Sequence, residues 1–183
     1  MTKQIYILFL ANFIFSFFVL FTFVVQNNLL QKFDTDLTVL IQNKADQYLD
    51  SIFSWVSILG RIEISFIILF ILILFFILKI KQKIFVLFLF SIMHAIELFI
   101  KLFVEHSGPP FEFYRHQVGE NLLDSYTIPA FSYPSGHAAR AIFILMILLF
   151  IVIGSKKLSF AQKNIILSLA LPIFIAVIVG KVY

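Results

Sequence analysis

Residues Phe131 to Ile153 read FSYPSGHAARAIFILMILLFIVI, and this stretch decides how the chain is understood. From Ala141 onward it is an unbroken apolar run. Taken from Gly136 to Ile153, it is close to the length of about 20 residues that crosses a bilayer as a helix. The residues in front set the mouth of that helix. Pro134 ends a loop, and Ser135 is placed to cap a helix whose first turn holds Gly136 and His137. A helix start offers backbone N–H groups and a partial positive charge, which together attract anions such as phosphate. Gly136 has no side chain, so an anion can approach its backbone closely. His137 exchanges a proton near neutral pH. Arg140 lies three residues on, on roughly the same face, and can chelate an oxyanion with two donors. Ser135, Gly136, His137 and Arg140 therefore outline a phosphate site at a helix mouth.

Similar apolar runs recur through the chain. Ile5 to Val25, Ile62 to Leu78, Ile84 to Val104 and Ile165 to Val179 join Gly136 to Ile153 as expected spans. The prediction is an all-α polytopic membrane bundle of about five transmembrane helices, a single domain over residues 1–183. Composition agrees: 61% of the 183 residues are hydrophobic and 13% are charged, against about 25% charged in a soluble domain. Mean hydropathy is +1.02. The first run is too long for a signal-peptide core and lacks a small-x-small cleavage site, so it reads as a signal anchor. The 25 phenylalanines are most simply lipid-facing. With no cysteine, neither a disulfide nor a thiolate metal site can form. Net charge is +4, but the basic residues sit in short inter-helix loops, which argues against nucleic acid as a partner. Pro172 falls inside the last span, where a bundle can absorb a kink.

Two segments depart from this pattern. Gln26 to Gly60 mixes Phe33, Leu37, Leu40 and Ile41 at helical spacing with Asp34, Asp36, Lys44, Asp46 and Asp50. It reads as an amphipathic helix lying in the membrane interface, followed by a short helix around Leu49 to Leu59, or as a generic amphipathic connector. Tyr48 and Trp55 suit interfacial anchors. Glu105 to Tyr133 is a polar loop with Gly108, Pro109, Pro110, Gly119 and Pro129. Lys3, a loop at Lys79 to Lys83 and a turn at Lys156 to Lys163 alternate so as to share one side, which the positive-inside rule makes cytoplasmic. The N-terminus is then cytoplasmic. Segment 26–60, loop 105–133 and the PSGH mouth face outward.

The span Ile84 to Val104 carries ionisable residues. His94, Glu97 and Lys101 fall at i, i+3 and i+7, on one helical face. Such groups are expensive in a membrane unless they pair or face a wet cavity. Glu97 and Lys101 stand at i,i+4 in the favourable order and can neutralise each other, either as part of a site or as a structural ion pair between helices.

Pro134-Ser135-Gly136-His137 resembles the second signature motif of the type 2 phosphatidic acid phosphatase/haloperoxidase superfamily of membrane lipid phosphatases. The family's first motif runs Lys, six residues, Arg, Pro. In this chain Lys101 is followed after six residues by Gly108 and Pro109, so the lysine and proline match and the arginine does not. The resemblance implies that Lys101 binds phosphate, that Ser135 and Gly136 hold its oxygens, and that His137 is the general acid for the leaving alcohol. A histidine that merely bonds a carbonyl at the helix start is the plainer alternative. Arg140 and Arg115 are the candidates to replace the missing arginine, Arg140 the better because a helix fixes it, and His106 is a further donor. The opening residues Phe33-Asp34 and Asp50 to Gly60 also resemble the family's lead-in segment.

The third motif of the family runs Ser-Arg, five residues, His, three residues, Asp, its His being the nucleophile and its Asp the group that orients it. Gly180-Lys181 stands where it would begin, with Lys181 as a substitute phosphate-binding charge. The nucleophilic His would fall past Tyr183, a sixth span is missing, and no substitute Asp–His pair is visible in the sequence. The chain thus reads as a phosphatase-like domain incomplete at its C-terminus. It could be a piece of a longer enzyme, an inactive relative that binds anionic lipid head groups, or an enzyme with another nucleophile. As an enzyme, the resemblance implies a lipid phosphatase using a phosphohistidine route on a phospholipid or polyprenyl phosphate at the outer membrane face, without metal or other cofactor. A proton-relaying transporter is a third class, weakened by the lack of paired broken helices or an internal repeat.

Overall fold

The computed structural model describes residues 3–44, 52, 55–76, 79–106 and 131–179. Among these the chain is all-α, with no strand. Helix α1 spans Lys3–Gln26, α2 spans Gln31–Lys44, and a 3-10 turn at Ile58–Gly60 leads into α3, Ile62–Phe76. Helix α4 is Ile80–Val104, α5 is Gly136–Gly154 and α6 is Phe160–Val179. Four of them, α1, α4, α5 and α6, are long and apolar enough to cross a membrane. Helix α3 has 15 residues in its described part, about 22 Å at the usual rise, which is short of the roughly 30 Å of a hydrocarbon core. Residues 77 and 78, expected to end this span, lie outside the described residues.

The lysine loops are tighter than expected. Lys81 and Lys83 belong to the first turns of α4, and Lys163 to the first turn of α6. The reason is local: nothing in Lys79 to Lys83 breaks a helix, and Lys side chains reach away from an apolar helix end without loss. Lys163 Nζ donates to the Ile153 carbonyl at 2.8 Å and so joins the end of α5 to the start of α6.

The interior is small, as lipid-facing bundles allow, because lipid chains are as apolar as the side chains and only packing draws helices together. Leu69 and Ile73 of α3 meet Val86 and Phe90 of α4, with Met93 and, from α5, Phe143, Ile147 and Ile151 around them. The Phe90 ring lies edge-on to Phe143 at 5.3 Å and to the His94 imidazole at 4.7 Å. Helix α1 is attached near its C-terminal end, where Thr22 Oγ1 and the Tyr133 hydroxyl are 2.9 Å apart and the Phe21 and Tyr133 rings pack at a tilt, 6.1 Å between centroids. Elsewhere α1 leaves Phe9, Phe13, Phe15 and Phe17 exposed, as a lipid-facing helix would.

Helix α2 corresponds to the amphipathic helix read in segment 26–60 and carries Phe33, Leu37 and Leu40 exposed. Of the second short helix, Ile52 and residues 55–57 are helical and run into the 3-10 turn, while Tyr48, Asp46 and Asp50 lie outside the described residues. So does most of the polar loop, residues 107–130. Its two ends are pinned together: Ser132 N donates to the His106 carbonyl at 2.9 Å, and Ser132 Oγ lies 2.9 Å from His106 Nδ1. This tie brings the last turn of α4 beside the first turn of α5.

Candidate functional site

The tie at His106 places two helix ends together, and a buried carboxylate joins them. Glu97 of α4 has a side chain 7% exposed. Its Oε1 lies 3.0 Å from Lys101 Nζ, and its Oε2 lies 3.3 Å from an Arg140 terminal nitrogen of α5 and 3.2 Å from His94 Nδ1. The shared face of His94, Glu97 and Lys101, legible from spacing, is therefore one connected network. Two basic side chains, Lys101 and Arg140, face one carboxylate.

Arg140 is held on three sides. Its Nε donates to the Gly60 carbonyl at 2.7 Å, one terminal nitrogen donates to Glu97, and the other lies 3.4 Å from His137 Nδ1. Its side chain is 9% exposed. A planar guanidinium with a fixed fork of donors suits such a junction, where lysine could satisfy only one direction. Helix α5 starts as the sequence predicts: Ser135 has extended backbone and its hydroxyl accepts from Ala138 N at 3.4 Å. That bond makes Ser135 a cap first, and its oxygen is partly committed before any ligand arrives.

Two glycines make the close approaches possible. A Cβ on Gly136 would run into Glu97 Oε1, so the carboxylate rests directly against the helix mouth. A Cβ on Gly60 would lie 2.7 Å from His137 Cδ2 and 2.9 Å from Val177 Cγ1. The 3-10 turn thus seats the His137 ring with its backbone and holds Arg140 through its carbonyl, while α6 closes the other side. Gly60 is a site residue that pattern alone does not reveal; its only signal in the sequence is a glycine standing just before an apolar run.

Lys101, Ser135, Gly136, His137 and Arg140 are all at one end of the bundle. The amine at Lys101 and the imidazole at His137 are linked through Glu97 and Arg140, not placed on opposite ends. An imidazole–carboxylate pair does exist: Glu97 holds His94 Nδ1, and His94 Nε2 is buried with no hydrogen-bond partner among the described residues. The third-motif pattern calls for an Asp near a C-terminal His, whereas this pair is a Glu three residues after a His within one helix. A second difference concerns Arg140, expected as an open phosphate clamp but already engaged by three groups. His106, expected as a further donor, has its Nδ1 2.9 Å from Ser132 Oγ. Lys181 and Arg115 lie outside the described residues. Among the described residues there is no group of three or more His, Cys, Asp or Glu suited to a metal ion.

Chemically, the groups around the Glu97 carboxylate are ones that can hold an oxyanion: an amine on the more open side, with Lys101 22% exposed, a guanidinium, a helix mouth and an imidazole next to the guanidinium. The chain matches no family model, no curated protein and no solved structure.

Proposed function

We propose that this protein takes the phosphate or diphosphate head of a membrane lipid at the end of the bundle where α4, α5 and the 3-10 turn converge. In this reading it is a lipid phosphatase-like membrane protein whose site faces outward and whose N-terminus is cytoplasmic. Lys101 and Arg140 hold phosphoryl oxygens, Gly136 lets them approach the helix mouth, and Ser135 fixes that mouth. In the hydrolytic form of this reading, by resemblance to the family, His137 gives its proton to the leaving alcohol as the P–O bond breaks and the phosphoryl group passes to the imidazole of a second histidine, and water then cleaves the P–N bond and returns a proton to His137. The acyl or prenyl tail stays in lipid beside the apolar helices.

The observation that carries the reading is the convergence of Lys101 and Arg140, from two different helices, on a single oxyanion against Gly136. A second reading, binding of the head group without turnover, is favoured by the imidazoles. Of those described besides His137, His94 has Nε2 buried and His106 is engaged by Ser132.

Metal-free release of phosphate from phosphatidate or a polyprenyl diphosphate, with purified protein in detergent, separates the two. Turnover that His137→Ala abolishes while leaving phosphate binding intact supports hydrolysis. Saturable binding with no release supports the binding reading. Activity that survives His137→Ala while binding is lost overturns these role assignments.

A further inference from the structure

We infer that α1 is a contact face between two copies of this chain, closed within the membrane by the Asn12 amides of the pair. The inference stands apart from the lipid-phosphate reading and uses none of its residues.

Helix α1 is long and apolar enough to cross a membrane. Its polar tie to the rest of the chain is near its C-terminal end, where Val25 is buried and Thr22 Oγ1 lies 2.9 Å from the Tyr133 hydroxyl. Residues 4–17 are exposed all round. Asn12 stands in that exposed part, about 4 Å along the axis from the middle of the helix, and so at hydrocarbon depth. Its Nδ2 donates to the Leu8 carbonyl at 2.9 Å, its one hydrogen bond among the described residues. That bond uses one N–H of the amide and leaves the other N–H and the Oδ1 acceptor to be satisfied. Lipid chains offer neither donor nor acceptor, and water does not reach that depth. A polar side chain placed there belongs against another helix.

The residues around Asn12 give that contact a seam. Ile5, Phe9, Asn12, Ser16, Val19 and Phe23 follow one another at alternating steps of four and three, the pattern of a two-helix contact, and all six are exposed. Thr22 and Val25, which meet the rest of the chain, lie about 130° away round the helix. Ser16, one turn from Asn12, is small enough to let two backbones approach. The amide itself selects the occupant. Two copies in one membrane insert in the same orientation, so their α1 helices run parallel and Asn12 meets Asn12 at one depth. Each amide carries a donor and an acceptor, so each can give its remaining N–H to the other's Oδ1. A two-fold axis makes the two bonds equivalent. An unlike partner would have to bring a polar group of its own to the same depth.

The test uses the full chain in phosphatidylcholine vesicles. The sequence has no cysteine, so one introduced at a single position can form a disulfide only between copies. Ser16→Cys, on the seam, should give a covalent dimer under mild oxidation. Ile14→Cys and Phe17→Cys, exposed but on other faces of α1, should not. Energy transfer between donor-labelled and acceptor-labelled copies, followed as lipid is added, should report a dimer that Asn12→Leu weakens about tenfold, the order expected of amide bonds between helices in lipid. Asn12→Gln keeps the amide and should retain more of the dimer than the Leu variant does. Residue 12 is exposed, so neither change removes a core contact, and unchanged far-UV circular dichroism checks that the helices persist. Cross-linking at residues 14 or 17 as efficient as at residue 16 overturns the inference. So does an Asn12→Leu variant that associates as the wild type does, or a wild-type chain that stays monomeric at every protein-to-lipid ratio.

Discussion

Replacing Arg140 by Met tests whether the junction between α4 and α5 is held by charge. Met keeps much of the aliphatic stem and removes the guanidinium. The change strips the Gly60 carbonyl of a donor at 2.7 Å and Glu97 of a cation at 3.3 Å, both in buried surroundings. Breaking one partner of a buried ion pair costs about 3–5 kcal/mol. Glu97 keeps Lys101 and His94, so the low end of that range applies. An orphaned carbonyl adds about 1–3 kcal/mol. Because the two effects overlap at one side chain, the expected loss is about 4 kcal/mol. Reversible unfolding in mixed micelles, followed by far-UV circular dichroism, measures it. A double-mutant cycle with Glu97→Gln isolates the pair: in the Met background, Gln removes a poorly compensated charge and should cost little, and Lys101, the more exposed cation, can turn to water. The coupling should be about 1.5–3 kcal/mol, as for a hydrogen bond to a charged group. Additivity of the two changes within about 0.5 kcal/mol would refute the claim that this contact holds the site in place.

Three further outcomes are expected. Gly60→Ala places a methyl group 2.7 Å from His137 Cδ2 and 2.9 Å from Val177 Cγ1; overpacking of this kind destabilises by about 1–3 kcal/mol, and the histidine resonances of His137 should shift alongside the thermal midpoint. Ser135→Ala removes the cap on Ala138 N, and because that bond is long at 3.4 Å the loss should lie near the lower end of the usual range, about 0.5 kcal/mol, with phosphate affinity reduced by loosening of the helix mouth; equal stability and affinity in calorimetry would count against the capping role. Leu69→Ala opens a void at a fully buried position and should cost about 2–5 kcal/mol in the same micelle unfolding assay, without changing the affinity of the folded protein for phosphatidate.

The helices are legible in the sequence because apolar runs of spanning length leave the backbone no way to satisfy its polar groups in lipid except by coiling. Ser135 as the cap of α5 is legible for an equally local reason, since its hydroxyl serves an N–H three residues away. Part of the site is legible too. His94, Glu97 and Lys101 share a face by helical period alone, and their mutual contacts reach no farther than four residues along one helix. The boundaries at Lys81, Lys83 and Lys163 are not legible in the same way: a run of charge reads as loop, while flexible Lys stems tolerate the first turn of a helix well.

The long-range contacts are settled only by packing. Glu97 meets Arg140 from 43 residues away, and Arg140 meets the Gly60 carbonyl from 80 residues away. Helical period tells which residues share a face, but not which neighbour that face will touch. In a bundle whose surfaces are nearly all Phe, Leu and Ile, one apolar face resembles another, so pattern does not choose the partners. Steric fit does: Gly60 and Gly136 permit backbone approaches that any side chain would block, and those approaches bring an acid from one helix onto a guanidinium from the next. The period of the chain thus set the face on which the charges stand, and the close fit of helices at two glycines gathered Lys101 and Arg140 around one carboxylate.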